Sequence, residues 1–411
     1  MRTPVVTGIG IVSPVGADRE TTWRAVAQGR SAVAPLHPHD GNGKIAARVP
    51  REWLGEADAE RDAFIRFALK AAFEAVEDSG IRFEETDRAR AACFVGSSKG
   101  GVATFHDEMQ RRLAGKPLLK TLLREFLPNA ASVSVAERYD LIGPCGNVVG
   151  ACATGALCIA RAAELIEENV CDVALAGASD ASITPTMVEG FDRLTLLAQA
   201  NGDPAKACRP FDAARTGFVL GEGACVLVME EAEHARQRGA KSYGVISGWS
   251  STSTAFSMTG LDPDGAGIVE ALRRALAKAN LRPGDLDYIN AHGTATRQND
   301  VVETRAVKAA LGEYARRTPL SSTKPVTGHL LGAAGSLEFA LALLAMRDGF
   351  LPPTINLNDP DPECDLDYVP NVGRPAAIRH CASMSAGLGG SVCVLVAGRP
   401  DTALPTQGEP E

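Results

Sequence analysis

Cationic residues are in the minority: 42 Lys and Arg stand against 50 Asp and Glu, a net charge of -8 over 411 residues. Nucleic-acid binding draws heavily on cations that neutralise phosphates, so this balance speaks against it. A local basic patch for an acidic partner remains compatible with it. Long apolar runs are also missing. No stretch approaches the roughly 20 residues needed to cross a bilayer, and the opening MRTPVVTGIGIV lacks the layout of a signal peptide. A cytoplasmic chain with no membrane partner is the expectation. Paired cysteines are absent too: the 10 Cys are scattered without a C-x-x-C. That speaks against structural zinc, and it predicts free core thiols in a reducing compartment. No metal is expected. Aromatics are scarce, at 5% against 41 Gly, which points to close backbone packing.

What is present is an α/β alternation on a chain too long for one compact core, so two fused halves are expected. Short Val/Ile/Ala-rich runs at 5–13, 91–98, 172–180, 224–230, 288–293 and 392–398 read as strands. They are apolar on both faces, as in sheets covered on both sides by helices. Helical stretches between them include 62–79, 152–168, 266–280, 301–312 and 329–347. The stretches after Cys152 and after His329 share a design, a Gly-rich turn followed by a helix that opens on a chemically versatile side chain. HLLGAAGSLEFALALLAM is apolar nearly all round and should lie in the middle of the protein. The boundary falls near Glu231–Ser247, giving halves of 1–240 and 241–399 and a polar tail, 400–411, expected to be disordered.

Cys152 in VVGACATGALCIA has two readings. As a small hydrophobe it would be an inert core thiol. At a helix start, unpaired N–H groups and the dipole would favour its thiolate and make it a nucleophile. His292 in NAHGTAT and His329 in TKPVTGHLLG are each flanked by Gly and Thr, which let backbone and ligand approach closely. Glu338 is the charge in the midst of an apolar helix, and a buried carboxylate needs a partner. It lies roughly 13 Å along that helix from His329. The arm of Lys324, folded back over the helix, is therefore the better candidate.

At these residues the chain resembles the β-ketoacyl-acyl-carrier-protein synthases of types I and II, within the thiolase-like superfamily. The resemblance runs from VVTGIGIVSPVG through GACATG, RPFDAARTGFVLGEGA, AHGTATRQND and SSTKPVTGHLLGAAGSLE to SMSAGLGGSVCVLV. It implies a thiolase-like α/β fold, two similar βαβαβαββ halves in five αβαβα layers. It also implies roles. Cys152 accepts the acyl group, and His292 and His329 decarboxylate a malonyl thioester. Lys324 and Glu338 form a supporting ion pair, and the backbone N–H groups of Cys152 and Leu388 make the oxyanion hole. Thr294, Thr296 and Thr259 hold a phosphopantetheine arm, and Phe105 floors the acyl pocket. The arm arrives on an acyl carrier protein, so no bound cofactor is implied. Partners would be acyl- and malonyl-loaded carriers, and a second copy or a chain-length-factor-like subunit. Lys116, Lys120, Arg124 and Arg193 are candidates for the carrier patch, and Lys99 for a solvated loop charge.

The late glycine loop departs from the family's N-S-F-G-F-G-G-T-N: it reads Met384 to Val392, with Ala386 and Leu388 in place of both phenylalanines. That alters gating rather than chemistry and favours a specialised-metabolite or polyketide synthase over a housekeeping fatty-acid enzyme. Other readings are a thiolase or type III synthase, an acyltransferase that does not condense, and a non-catalytic chain-length partner. Type III enzymes carry Asn where this chain has His329, thiolases carry a second Cys in the late loop, and the non-catalytic partners lack the nucleophile.

Overall fold

The computed structural model describes residues 2–36, 43–200 and 202–400. The tail expected to be disordered therefore lies outside the described residues from Asp401 onward. Nine strands form the main sheet: β1 (Pro4–Val12), β2 (Ala91–Gly96), β3 (Val173–Asp180), β4 (Gly223–Glu231), β5 (Gly244–Ser253), β6 (Tyr288–Asn290), β7 (Leu320–Ser321), β8 (His380–Ala386) and β9 (Ser391–Gly398). Their spatial order is β7-β6-β8-β9-β5-β1-β4-β3-β2.

A narrow seam divides the sheet, where β1 meets β5 only through Val5↔Val245 and Val6↔Gly244. Outward from it the two sides repeat. The first strand of each side pairs antiparallel with the last, β1 with β4 and β5 with β9. The last pairs antiparallel with the one before it, β3 or β8, which pairs parallel with the second, β2 or β6. On the outer edge β7 lies parallel to β6, whereas the other side has a single bridge between Cys93 and Cys145. This is the repeated half of a thiolase-like fold.

Six helices complete the layers: α1 (Ala63–Ser79), α2 (Ala130–Arg138), α3 (Thr154–Glu167), α4 (Ala266–Lys278), α5 (Arg297–Leu311) and α6 (Ala334–Asp348). α1 and α2 cover one outer face, and α4 and α5 the other. α3 and α6 lie between, each touching strands of both sides, so the layers run α-β-α-β-α. Local chemistry explains the helix ends. Asp62 accepts the Phe64 N–H at 3.1 Å to start α1, and Gly80 in the left-handed conformation stops it. In α6 every residue from Ala334 to Met346 is buried, as an all-round apolar helix must be. Each of its Leu and Phe side chains contributes about 1.5–3 kcal/mol by leaving water. Among the described residues, no helix is long and apolar enough to cross a membrane.

The two central helices start later than expected, each after a tight 3₁₀ turn, Ala151–Ala153 and Leu331–Ala333. Both turns open on a non-glycine residue in the left-handed region, Ala151 at φ 49° and Leu331 at φ 50°. The structural counterpart of Cys152 is thus Gly332. His329 lies upstream of that turn, paired with Leu220 as an extended bridge. This corrects the expectation that Cys152 and His329 open equivalent helices. β5, β7 and β8 were outside the six expected strands; Ser and Thr dilute the apolar pattern of β5 and Ser that of β8, while β7 is only two residues long.

The two helix starts pack back to back. A side chain on Gly155 would place its Cβ 2.7 Å from Ser336 N, and one on Gly335 would come 2.9 Å from Ala156 N. Backbone lies against backbone there, with no room for a methyl group. Gly155→Val should lower stability by roughly 1–3 kcal/mol, the usual cost of overpacking. Denaturant unfolding followed by fluorescence reads it, and an unchanged midpoint would show that the helix starts can separate freely.

Candidate active site

Cys152 borders a cavity of about 680 Å³, whose lining also includes His292, His329, Thr259, Thr294, Thr296, Ala386 and Leu388. Its turn is fixed by Thr154, whose Oγ1 accepts the Gly150 N–H at 3.0 Å and donates to Ala151 O at 2.8 Å. His329 is held by its backbone. Its N–H donates to Val219 O at 2.7 Å, and its carbonyl accepts from Gly221 at 2.9 Å. The ring then lies with Nε2 3.1 Å from Cys152 Sγ, nearly perpendicular to the Phe218 ring with their centres 5.1 Å apart. The His292 ring stands nearly perpendicular to it at 5.5 Å.

His292 follows β6, and its loop is fastened from below. Glu303 on α5 accepts the N–H groups of His292 at 2.6 Å and Gly293 at 2.8 Å. Lys324, fully buried, donates to the His292 carbonyl and pairs with Glu338. The expected ion pair between Lys324 and Glu338 is therefore present. Leu388 directs its backbone N–H at the Cys152 sulfur, and a Cβ on Gly387 would lie 3.1 Å from Cys152 N.

Burial dominates the titration of these groups. Desolvation, then Lys324, pushes both His292 and His329 well below the usual imidazole range, so both rings are neutral near pH 7. The carboxyls of Glu303 and Glu338 are raised to about 7 by the same desolvation, with backbone N–H groups or Lys324 only partly offsetting it. Cys152 departs from expectation. Burial raises its thiol above the usual value, although Lys99, Lys324 and the Leu388 N–H pull the other way. The helix proper begins only at Thr154, so its N-terminus does not by itself create a thiolate.

Seven expected positions besides Cys152 thus converge on the cavity, and Lys324 and Glu338 support it from behind. Thr294 Oγ1 and Thr296 Oγ1 lie 3.0 Å apart. Phe105 does not join them. It is 40% exposed on the helix Val102–Leu113, against Phe126 at 5.0 Å. That helix buries only Glu108, and Phe105 is not among the residues lining the cavity. Of the basic candidates, Arg124 pairs with Glu125 and Arg193 with Glu189, while Lys116 and Lys120 are exposed. Sequence reasoning missed Glu303 and Asp300. Their signal was available: Asn299, Asp300 and Glu303 are polar residues at helical spacing, and all three are buried.

A raised thiol beside a neutral imidazole has a measurable signature. The rate of Cys152 alkylation by iodoacetamide should climb steadily from pH 6 towards pH 9, because the thiolate fraction is still rising there. A plateau near pH 7 would instead reveal a preformed thiolate–imidazolium pair.

The profile described as "Beta-ketoacyl synthase, N-terminal domain" matches residues 2–235, and "Beta-ketoacyl synthase, C-terminal domain" matches residues 243–358. The chain is 40% identical over 410 residues to "3-oxoacyl-[acyl-carrier-protein] synthase 2" of Coxiella burnetii, covering 97% of this chain and 99% of that one. Among solved structures it resembles a type II PKS acyl-carrier protein in complex with its ketosynthase bound to the hexaketide, at TM-score 0.90 and 32% identity, covering 97% and 99%. The ishigamide ketosynthase/chain length factor matches at TM-score 0.90 and 30% identity, with the same coverage. Taken with the five-layer fold and the Cys152, His292 and His329 cluster, these matches place the chain in the β-ketoacyl synthase family.

Proposed function

We propose that the chain is a β-ketoacyl-acyl-carrier-protein synthase that joins an acyl group on Cys152 to a malonyl unit with loss of CO2. The observation that carries this reading is the 3.1 Å approach of His329 Nε2 to Cys152 Sγ, with His292 at the same cavity mouth.

In the first half-reaction Cys152 Sγ attacks the acyl thioester as His329 Nε2 accepts the thiol proton. The N–H groups of Cys152 and Leu388 take the oxyanion. The carbon–sulfur bond to the carrier arm then breaks, and the released thiolate takes the proton back from His329. In the second half-reaction the malonyl thioester oxygen receives N–H from His292, and from His329 once its ring proton has moved from Nδ1 to Nε2. The bond to the carboxylate breaks, CO2 leaves, and the electron pair remains as an enolate. The neutrality of both imidazoles suits this step, since each keeps one N–H for the developing charge. The enolate carbon attacks the acyl carbonyl on Cys152, the bond from that carbon to Sγ breaks, and the released thiolate takes a proton from solvent. Lys324 acts through position and charge: it holds the His292 carbonyl and helps keep both rings uncharged. Glu338 anchors Lys324.

Residues 1–240 then contribute the nucleophile, and 241–399 the decarboxylating pair. Thr294, Thr296 and Thr259 would steady the phosphopantetheine arm, which comes and goes with its carrier. Lys116 and Lys120 are the better half of the docking patch, because the two arginines are already paired. The exposed Leu113, Leu118, Leu119, Leu123 and Leu127 form an apolar segment suited to cover by a second subunit. That subunit is a second copy or a chain-length-factor-like partner. A specialised or polyketide role is favoured over fatty-acid elongation by Ala386 and Leu388 at the cavity.

Intact-protein mass spectrometry with acyl-loaded carriers, alongside CO2 release from a malonyl carrier, tests the division of labour. Cys152→Ala should take up no acyl mass. His292→Ala should lose CO2 release by about 10²-fold while Cys152 still becomes acylated. Equal loss of both half-reactions would overturn the scheme. Glu303→Gln keeps one acceptor beneath the His292 loop and loses the other. It should slow CO2 release by about tenfold or more through misplacement of His292, and acylation should persist. Unchanged CO2 release would remove Glu303 from that positioning role.

A further inference from the structure

Lys99 lies in GSSKGG, between β2 and the helix Val102–Leu113. It is half-buried, yet among the described residues it makes no ion pair. Its Nζ donates to Ser98 Oγ at 2.9 Å and stands over the Phe191 ring, 5.7 Å from the centroid. The nearby carboxylate is already engaged: Asp180 accepts from the Ser98 and Ser182 hydroxyls and from the Gly332 N–H. An ammonium has three donors, and Ser98 takes one. Withdrawing such a charge from water without a carboxylate is costly, and the aromatic face offsets only part of that cost.

The wall beside it leads to the reacting sulfur. Phe191 meets Phe218 edge-on at 5.5 Å, and Phe218 meets His329 at 5.1 Å. Phe191, Phe218, Leu331 and Cys152 belong to one apolar cluster, and both phenylalanines line the cavity. Lys99 is also close enough that its charge acts on Cys152 and His329. Lys99 is not itself a lining residue of the cavity, but it stands over Phe191, which is, so an acyl chain lying along Phe191 and Phe218 would come near this ammonium.

We propose that Lys99 is a specificity determinant that selects acyl groups bearing carbonyl oxygens, donating a hydrogen bond to one of them as the chain lies against Phe191. This rests on Cys152 being the acyl acceptor. A saturated chain would cover the ammonium and leave its free donors unmet, whereas a ketone oxygen would satisfy one with a charge-assisted hydrogen bond. Selectivity therefore comes from both sides, attraction for one class and a penalty on the other.

The test compares rates of Cys152 acylation by carriers bearing hexanoyl, 3-oxohexanoyl and 3,5-dioxohexanoyl groups, in the unsubstituted protein, Lys99→Met and Lys99→Arg. Taking the ratio of oxo to saturated rates within each protein cancels differences in folding and in active fraction. The ratio should fall by about tenfold or more in Lys99→Met and be largely kept in Lys99→Arg. A ratio unmoved by Lys99→Met overturns the proposal. So does a uniform loss across all three groups, which would mean that Lys99 acts on the sulfur rather than on the chain. If no carrier acylates the unsubstituted protein, the reading of Cys152 as acceptor itself fails, a result distinct from either of these.

Discussion

The contact between Gly155 and Ser336, repeated as Gly335 against Ala156, is the constraint on which the rest of the site depends. It brings the starts of α3 and α6 together at backbone distance, so the turn carrying Cys152 faces loops of the other half. Each turn is forced through a left-handed residue, Ala151 or Leu331, a conformation that costs roughly 1–3 kcal/mol at a non-glycine. The surrounding core must over-determine both. The buried α3 and α6 do so, since neither can shift without opening apolar surface on both sheets. The 3.1 Å separation of Cys152 and His329 is a product of that packing rather than of any bond between their own segments.

Within this buried junction desolvation disfavours charge on the groups around the sulfur. Desolvation acts on the two histidines, the thiol and both glutamates alike, and Lys324 adds to it at the rings. A helix N-terminus alone would favour charge on Cys152; burial outweighs it. On the proposed reading, proton transfer to His329 accompanies attack, rather than a thiolate standing ready beforehand. Neutral imidazoles are also the species that can donate to an enolate, so one physical cause serves both half-reactions.

Much of this was legible in the sequence, and the limits have physical origins. The apolar α6 with Glu338 at its middle predicted both a central helix and a buried partner, and Lys324 is that partner. Strands that are apolar on both faces predicted covered sheets. The exact start of α3 and α6 was not legible, because composition does not distinguish a 3₁₀ turn through Ala151 from the first turn of a helix. That is why Cys152 and His329 looked equivalent when Gly332 is the true counterpart. Glu303 was missed for a related reason: the polar run at the start of α5 looks like a solvated face until Phe211 donates its N–H to Asp300, and His292 and Gly293 donate theirs to Glu303. Phe105 failed differently. Its place in a motif was read, but the amphipathic helix that carries it points the ring outward.

The glycine loop shows why the reaction and its substrate range can vary separately. Its backbone is tied on each side, with Gly387 N–H to Ser391 O at 2.7 Å, Gly389 N–H to Met258 O at 2.9 Å and Thr254 N–H to Gly390 O at 2.9 Å. Gly389 and Gly390 adopt φ of 87° and 86°, a conformation side chains resist, so the path of the loop is set by those two residues. The Leu388 N–H is thereby aimed at Cys152 whatever side chain Leu388 carries. On the proposed reading, loss of both family phenylalanines costs the oxyanion hole nothing, because the donors are backbone groups. What changes is the surface an acyl chain meets: a small Ala386, a partly exposed Leu388, and Phe191, whose ring has Lys99 over it. The groups that perform the chemistry are locked by burial and backbone, while those that meet the chain are side chains free to be exchanged.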